Sequence, residues 1–262
     1  MIRWLDLHSH TRASLDGVSR PEDLLRRARA AALDALAVTD HGTIAGGLRT
    51  RDLRGPGDPE IIVGAEYATD AGHVLGLFLS SEIQLGSAPR WPWREVVAAV
   101  RAQGGLAILA HPTKTFRPLT ADVLAGMDGI EVYNARAEFS RFARANPRAL
   151  DAWRSWRRQH PDSRLIATAG SDAHFPREVG HACCAVAADG DLRQALLGGT
   201  LRIVGRGTAP LVEAGSQAVK TWRTGAWPRL PQAAARLAWH GARTAARLGR
   251  LRERVEWSVE EG

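Results

Sequence analysis

Asp6-Leu7-His8-Ser9-His10 ends the first apolar run of the chain, residues 2–7, and sets two imidazoles two positions apart. On an extended strand, residues i and i+2 point to the same side, so His8 and His10 can chelate one ion between them. The same arrangement, an apolar run that ends in histidine or carboxylate, recurs along the sequence. It is seen in Thr39-Asp40-His41-Gly42, Gly64-Ala65-Glu66, Gly72-His73, Ala110-His111-Pro112 and Gly170-Ser171-Asp172-Ala173-His174. Imidazole nitrogen and carboxylate oxygen are the donors that Zn²⁺, Mn²⁺ and Fe²⁺ select.

Working outward from these motifs, short apolar runs alternate with amphipathic stretches. Strands are expected at 4–7, 35–39, 61–64, 74–79, 106–110, 129–132, 165–169 and 182–187, and helices at 20–32, 43–52, 93–103, 120–125, 145–159 and 192–197. Ser19 with Pro21 and Glu22 reads as a helix N-terminus, and Gly104-Gly105 as a stop. Repeated βα units with buried strands imply a barrel or a doubly wound sheet. An open sheet gathers its ligands at one switch point. Here they follow nearly every strand, which is the placement of a barrel enzyme's chemistry. Asp70-Ala71-Gly72 between two apolar segments reads as a hairpin, so the barrel is expected to be irregular.

The chain has 262 residues, 45% of them hydrophobic, enough for one large α/β domain or a domain with an appendage. No run approaches the roughly 18 uncharged apolar residues that would span a bilayer. The first apolar run leads straight into the His8 motif, which leaves no room for a cleaved export signal. Cys183 and Cys184 are adjacent in an apolar run and cannot build a disulfide framework, so a cytoplasmic location is expected.

Net charge is +7, but from Arg206 to the end there are ten Lys or Arg against five Glu, so about +5 of it lies in the tail. Gly, Pro and Trp punctuate 207–231. Beyond them Leu230, Ala234, Leu237, Gly241, Thr244, Leu248, Leu251 and Val255 recur at steps of four and three amid arginines. The expected organisation is therefore a catalytic barrel over 1–204, then a linker and a basic amphipathic helix over 205–262. The stripe suits packing on the barrel or on a second copy; the charge suits nucleic acid or a membrane surface. Oligomeric state is left open.

Taken in order, the motifs over residues 3–187 resemble the PHP (polymerase and histidinol phosphatase) superfamily of metal-dependent phosphoesterases. The resemblance implies a distorted (β/α)₇ TIM-like barrel, here with a C-terminal helical extension, and a trinuclear site at the strand ends. It implies His8, His10, Glu66 and Asp172 on the first ion, Glu66, His73 and His111 on the second with Glu66 bridging, and Asp16, His41 and His174 on the third. Asp16 stands where some relatives have histidine, which hardens that site toward metals that prefer oxygen. Two or three divalent ions (Zn, Mn or Fe) and a metal-bridging hydroxide that attacks phosphorus are the implied cofactors and mechanism.

Other residues carry expectations of their own. His181 follows the last motif and reads either as structural or as a proton donor beside Glu66 and Asp172. Arg12, Lys114, Arg136 and Arg177 lie near the motifs and are candidate phosphate ligands, with Asn134 at the rim. Asp6 and Asp40 each precede a ligand histidine and suit either an imidazole N–H or a strand-end hydrogen bond. His160 and His240 read as outside the site. The expected substrate is a small phosphorylated metabolite or nucleotide. The alternatives are an exonuclease trimming RNA or DNA ends, with the basic tail on the nucleic acid, and a metal-free PHP-like binding module. Glu66 and His111 are close in sequence with no inserted substrate domain between them, so an open, shallow site is expected.

Overall fold

The alternation of apolar and amphipathic stretches folds into a single curled sheet of ten strands flanked by helices. The computed structural model describes residues 1–259 except 87–89, 116, 117, 141, 143, 189 and 248. Its elements are β1 (Ile2–Asp6), α1 (Pro21–Ala30), β2 (Ala35–His41), α2 (Ala45–Asp52), β3 (Glu60–Thr69), β4 (Gly72–Leu77), α3 (Trp93–Ala102), β5 (Leu106–Ala110), α4 (Ala121–Gly126), β6 (Gly129–Asn134), α5 (Ala145–Gln159), β7 (Ile166–Gly170), β8 (Ala182–Ala187), α6 (Leu192–Leu197), β9 (Thr200–Gly205), α7 (Pro210–Arg223), α8 (Leu230–Ala245) and β10 (Val255–Ser258).

The sheet order is β10-β9-β8-β1-β2-β3-β4-β5-β6-β7. β1, β2 and β3 pair in parallel, as do β5, β6 and β7, while β4 runs antiparallel to both β3 and β5. The parallel strands are buried along almost their whole length, which is why they read as continuous apolar runs. Leu5, Leu36, Ile62, Leu75, Ile108 and Ile130 lie in this core. Curling brings β7 back toward β1 and β9. Leu7 N donates to Ala169 O at 3.3 Å and Asp172 N to His8 O at 2.8 Å, so the segments after β1 and β7 meet although the strands are far apart in the sheet order. Thr200 Oγ1 donates to Ala167 O at 2.6 Å, joining β9 to β7.

The expected hairpin is present as β3–β4, with Glu66 opposite Leu75 and Ala68 opposite His73. Reversal at Asp70–Gly72 places the start of β4 beside the C-terminal ends of the parallel strands, so His73 reaches the same end of the sheet as the other motifs. Cys183 and Cys184 lie in β8, and burial pushes both thiols up to about 12, leaving them unreactive. Ser19 does not cap α1. Arg20 holds the cap position without a side-chain bond, and the Ser19 hydroxyl donates to His174 O.

Expectation and structure part most in the tail. The punctuated stretch expected as a linker is largely helix α7, with Pro210 in its first turn, where a missing N–H costs nothing. The second helix ends at Ala245 instead of running on to Val255, which lies in β10 paired with Gly205 of β9. Gly241 is tolerated inside α8, whereas Gly249 starts a short 3₁₀ turn, Arg250–Arg252, that leads into the strand. Leu248 of the expected stripe lies outside the described residues. No helix among the described residues is long and apolar enough to cross a membrane.

Candidate metal centre

The strand ends gather six imidazoles and three carboxylates into one cluster. His8 and His10 follow β1, His41 ends β2, Glu66 lies within β3, His73 opens β4, His111 follows β5, and Asp172 and His174 follow β7. Asp16 comes from the loop between β1 and α1. Glu66, only 2% exposed, sits at the centre. Its Oε1 lies 2.6 Å from His73 Nδ1 and 3.1 Å from His111 Nε2, and its Oε2 lies 3.1 Å from His41 Nδ1, 3.3 Å from His10 Nε2 and 3.4 Å from His8 Nε2. Asp172 Oδ1 lies 3.4 Å from His10 Nε2 and 3.5 Å from His174 Nδ1. Asp16 Oδ1 lies 3.4 Å from His41 Nε2 and 3.5 Å from His174 Nε2.

What lies behind the rings decides which nitrogen faces inward. His8 Nδ1 is 3.1 Å from Glu131 Oε1, an acceptor, so that nitrogen carries a proton and Nε2 is the one that faces the cluster. His174 Nδ1 is likewise tied to the carbonyl oxygen of Asp172 at 2.9 Å. His10 Nδ1 is 3.1 Å from Ser14 Oγ, and that hydroxyl donates its own proton to Asp40 Oδ1 at 2.7 Å, so it can only accept from His10. Asp40 therefore orients His10 through Ser14 and does not touch a ring. Asp6 takes the strand-end role, accepting from the backbone N–H of His8, Ser171 and Gly180, and burial pushes its carboxyl up to about 6.

The Nε2 atoms of His8 and His10 then face each other at 3.1 Å. Two lone pairs at that distance repel, so a proton or a metal ion must lie between them; although burial opposes it, Asp172, Glu131 and Glu66 raise His8 well above its ordinary value, which supplies the proton where no ion is bound. Asp16 Oδ1 is buried and accepts no hydrogen bond from the described residues, a donor atom left over for an ion. Donor atoms of His8, His10 and Asp172, of His8, Glu66 and His111, and of His10, His41 and His174 fall within 4.8 Å of one another. This donor set fits divalent metals of the imidazole-and-carboxylate type. Burial and the neighbouring His174 hold His10 well below its ordinary value, in the neutral form a ligand needs. Glu66 and Asp172 are held well below the carboxylate range because the surrounding imidazoles outweigh burial.

Local backbone supports the same reading. His111 and Asp172 have φ of 29° and 54°, in the left-handed region that costs an ordinary residue about 1–3 kcal/mol. Each is held there by its own N–H, His111 to Glu131 Oε2 and Asp172 to His8 O, both at 2.8 Å. At Gly170 a Cβ would lie 2.3 Å from His8 Cβ and 2.7 Å from Glu131 Oε1, so only glycine lets this pair approach.

The expected substrate ligands separate. Lys114 lies on the cavity wall, 3.8 Å from Asp172 Oδ2 and 3.3 Å from Glu213 Oε1. Asn134 is buried beneath the cluster and donates to Glu131 Oε2 at 3.0 Å and Asp172 Oδ2 at 3.3 Å, a positioning contact and not one at the rim. Arg136 borders the cavity, but its guanidinium grips both oxygens of Glu178 at 2.9 Å and the Ser216 hydroxyl at 2.9 Å. Arg12 and Arg177 are exposed and do not line the cavity. His181 is not brought to the cluster. Its Nδ1 lies 3.2 Å from Thr208 Oγ1, and burial lowers it to about 4.

Nor is the site shallow. A cavity of about 730 Å³ opens over the cluster, and the tail builds one of its walls: Glu213, Ala214, Gln217 and Lys220 from α7, and Arg236, Trp239, His240 and Arg243 from α8. Lys220 Nζ reaches Asp16 Oδ2 at 3.3 Å, and Arg223 donates to the carbonyls of Ser14 and Gly17. His240 thus belongs to the site's surroundings after all. Glu131, Glu178 and the tail wall are what sequence reasoning missed. A lone carboxylate inside an apolar strand run was the available signal for Glu131, since its burial requires a partner.

The PHP domain family model matches residues 6–197. An uncharacterised protein of Methanocaldococcus jannaschii, MJ1587, is 34% identical over 142 residues, covering 50% of this chain and 81% of that protein. Among solved structures, a protein of Bifidobacterium adolescentis assigned as a metal-dependent phosphoesterase superposes with a TM-score of 0.52 at 20% identity, covering 74% of this chain and 96% of that one. The lesion-specific endonuclease PfuEndoQ of Pyrococcus furiosus gives 0.58 at 15% identity, covering 80% and 60%. At these identities the superpositions speak for the fold alone, while the model match and the donor cluster agree on the same stretch of sequence. The chain belongs to the PHP domain family.

Proposed function

We propose that this protein is a metal-dependent phosphoesterase with a trinuclear site, hydrolysing the phosphate ester of a small metabolite or nucleotide. His8, His10, Glu66 and Asp172 would hold one ion, Glu66, His73 and His111 a second, and Asp16, His41 and His174 a third. When bound, divalent ions would supply a water acidified from a pKa of about 15.7 toward 7 and would neutralise phosphate charge. The observation that carries the reading is the inward face of the cluster: six imidazoles, three of them (His8, His10 and His174) with the outer nitrogen tied back, gather with Asp16 and Asp172 around a buried Glu66 whose two oxygens are both shared.

The remaining steps fall to the chain's own groups. Glu66 directs one oxygen toward His73 and His111 and the other toward His8, His10 and His41, the division a bridging carboxylate needs. Lys114 and Lys220 stand beside Asp172 and Asp16 and can meet phosphate oxygens from the cavity side. Trimming of RNA or DNA ends is the second reading, and the cationic cavity wall favours it.

Metal analysis of the purified protein, followed by a screen of phosphorylated metabolites, nucleotides and short RNAs with added Mn²⁺, tests both. Bound transition metal and turnover are expected. Glu66→Ala should lose both, and Asp16→Ala should lose one ion of the set. A protein without affinity for these metals would refute the proposal.

A further inference from the structure

Arg236, Trp239, His240 and Arg243 follow one another on α8 at spacings that share one helix face, and all four line the same cavity as the candidate metal cluster. Trp239 is 66% exposed, and its indole has no hydrogen-bond or ring partner among the described residues. Arg236 has no ion-pair partner among them either, and Arg243 donates to Phe139 O at 3.0 Å while flanking His240. Arg90, Lys114 and Lys220 add further cations to the lining. Glu213, the carboxylate that α7 contributes, is already engaged by Lys114.

The wall thus offers one flat aromatic surface set among several positive charges. A simple aliphatic phosphate gives such a surface nothing to cover, and an acyl chain would be poorly served by arginines. A planar base joined to phosphate matches both, since every base has a face that stacks on an indole and phosphates seek guanidinium groups. The volume of about 730 Å³ falls in the range of roughly 300–1,000 Å³ typical of sites for ligands of this size.

We infer that the substrate is a nucleobase-bearing phosphate ester, with its base stacked on Trp239 and its phosphates steered by Arg236 and Arg243, so that α8 determines specificity. This inference rests on the phosphoesterase reading for the reaction but not for the binding. Neither arginine needs to move from its helix face to meet a ligand in the cavity. α8 lies beyond the residues matched by the family model, so this wall belongs to this chain's own tail.

The test compares a purine nucleoside monophosphate with glycerol phosphate on the metal-loaded, full-length protein. Loss of one stacked base is worth about fivefold to a hundredfold in affinity. Trp239→Ala should therefore lower the ratio of kcat/KM for nucleotide over glycerol phosphate by about fivefold or more, mainly through KM, and Trp239→Phe should keep most of it. Trp227→Ala, an exposed tryptophan outside the cavity lining, should leave the ratio as in the wild type. Equal losses on both substrates, or none, would overturn the inference.

Calorimetric titration with the same nucleotide reads Trp239 without turnover. Binding that Trp239→Ala weakens, in a protein that hydrolyses nothing, would keep the inference and refute the hydrolase reading. No binding to the wild type would refute the inference alone if glycerol phosphate is still cleaved. A single-stranded trinucleotide distinguishes the sources of the base: a larger Arg236→Ala effect on it than on the monophosphate assigns the wall to a strand, and equal effects assign it to a mononucleotide.

Discussion

Replacing Glu131 by glutamine probes the candidate metal centre without touching a proposed ligand. Glu131 is 2% exposed and accepts three hydrogen bonds: from His8 Nδ1 at 3.1 Å, from the His111 backbone N–H at 2.8 Å and from Asn134 Nδ2 at 3.0 Å. The last two share Oε2. Glutamine keeps the size but has only one oxygen. If that oxygen stays with His8, the amide NH₂ faces two donors; if it turns toward His111 and Asn134, the NH₂ faces His8 Nδ1 and forces the proton onto Nε2, where an ion would bind. Either orientation leaves a buried polar group mispaired, at about 1–3 kcal/mol. Loss of a partner behind a ligating imidazole typically weakens metal binding 10- to 100-fold. Competition with a chelator, read by metal analysis, should show that weakening, while the thermal midpoint of the metal-free protein falls only as far as the 1–3 kcal/mol cost implies. A Glu131→Gln protein that held its metal as tightly as the wild type would refute the claim that Glu131 sets the His8 tautomer.

Two further expectations follow from the buried ion pair and from His181. Arg136→Met leaves Glu178 buried without its guanidinium and should cost roughly 3–5 kcal/mol in denaturant unfolding, with Arg136→Met/Glu178→Gln, which removes the charge but keeps an oxygen for the His174 and Phe175 N–H groups, recovering part of it; a fully stable Arg136→Met protein with lost turnover would instead make Arg136 a substrate ligand. His181 is lowered to about 4 from 6.5, so below pH 6.5 the unfolded chain takes up a proton that the folded one refuses. Stability from this group should therefore fall as pH drops from 6.5 to 4, by roughly 3 kcal/mol at most, and urea unfolding of His181→Gln should lack that part of the decline.

The convergence of the motifs was legible because their chemistry is local. An apolar strand followed by histidine or carboxylate announces both the element and the donor at its end, and a parallel sheet then brings such ends together. His73 was legible for the same reason, since Asp70-Ala71-Gly72 marks the reversal that returns β4 to the site. The tail was not, because its contacts join residues about two hundred positions apart: Lys220 with Asp16, and Arg223 with Ser14 and Gly17. A basic amphipathic pattern states that one face will be covered and leaves open by what. Here α7 takes up Arg136 through Ser216, and the next helix turns its arginines toward the cavity.

The same contrast explains why Arg136 and Lys114, alike as cations beside motifs, have different surroundings. Arg136 meets a carboxylate with which its planar fork can pair at both oxygens, and Glu178 in turn accepts from the backbone N–H groups of His174 and Phe175. That pair ties the loop after β7, which carries a proposed ligand, to the loop after β6, and through Ser216 to α7. Lys114, a point charge on a flexible stem, stands between Asp172 and Glu213 with its donors turned toward the cavity wall. The rigid, fully engaged cation is suited to holding the site's shape. The cations that remain for a phosphate among the described cavity residues are Arg90, Lys114 and, from the tail, Lys220, Arg236 and Arg243, so three of the five come from a segment that the motifs do not reach.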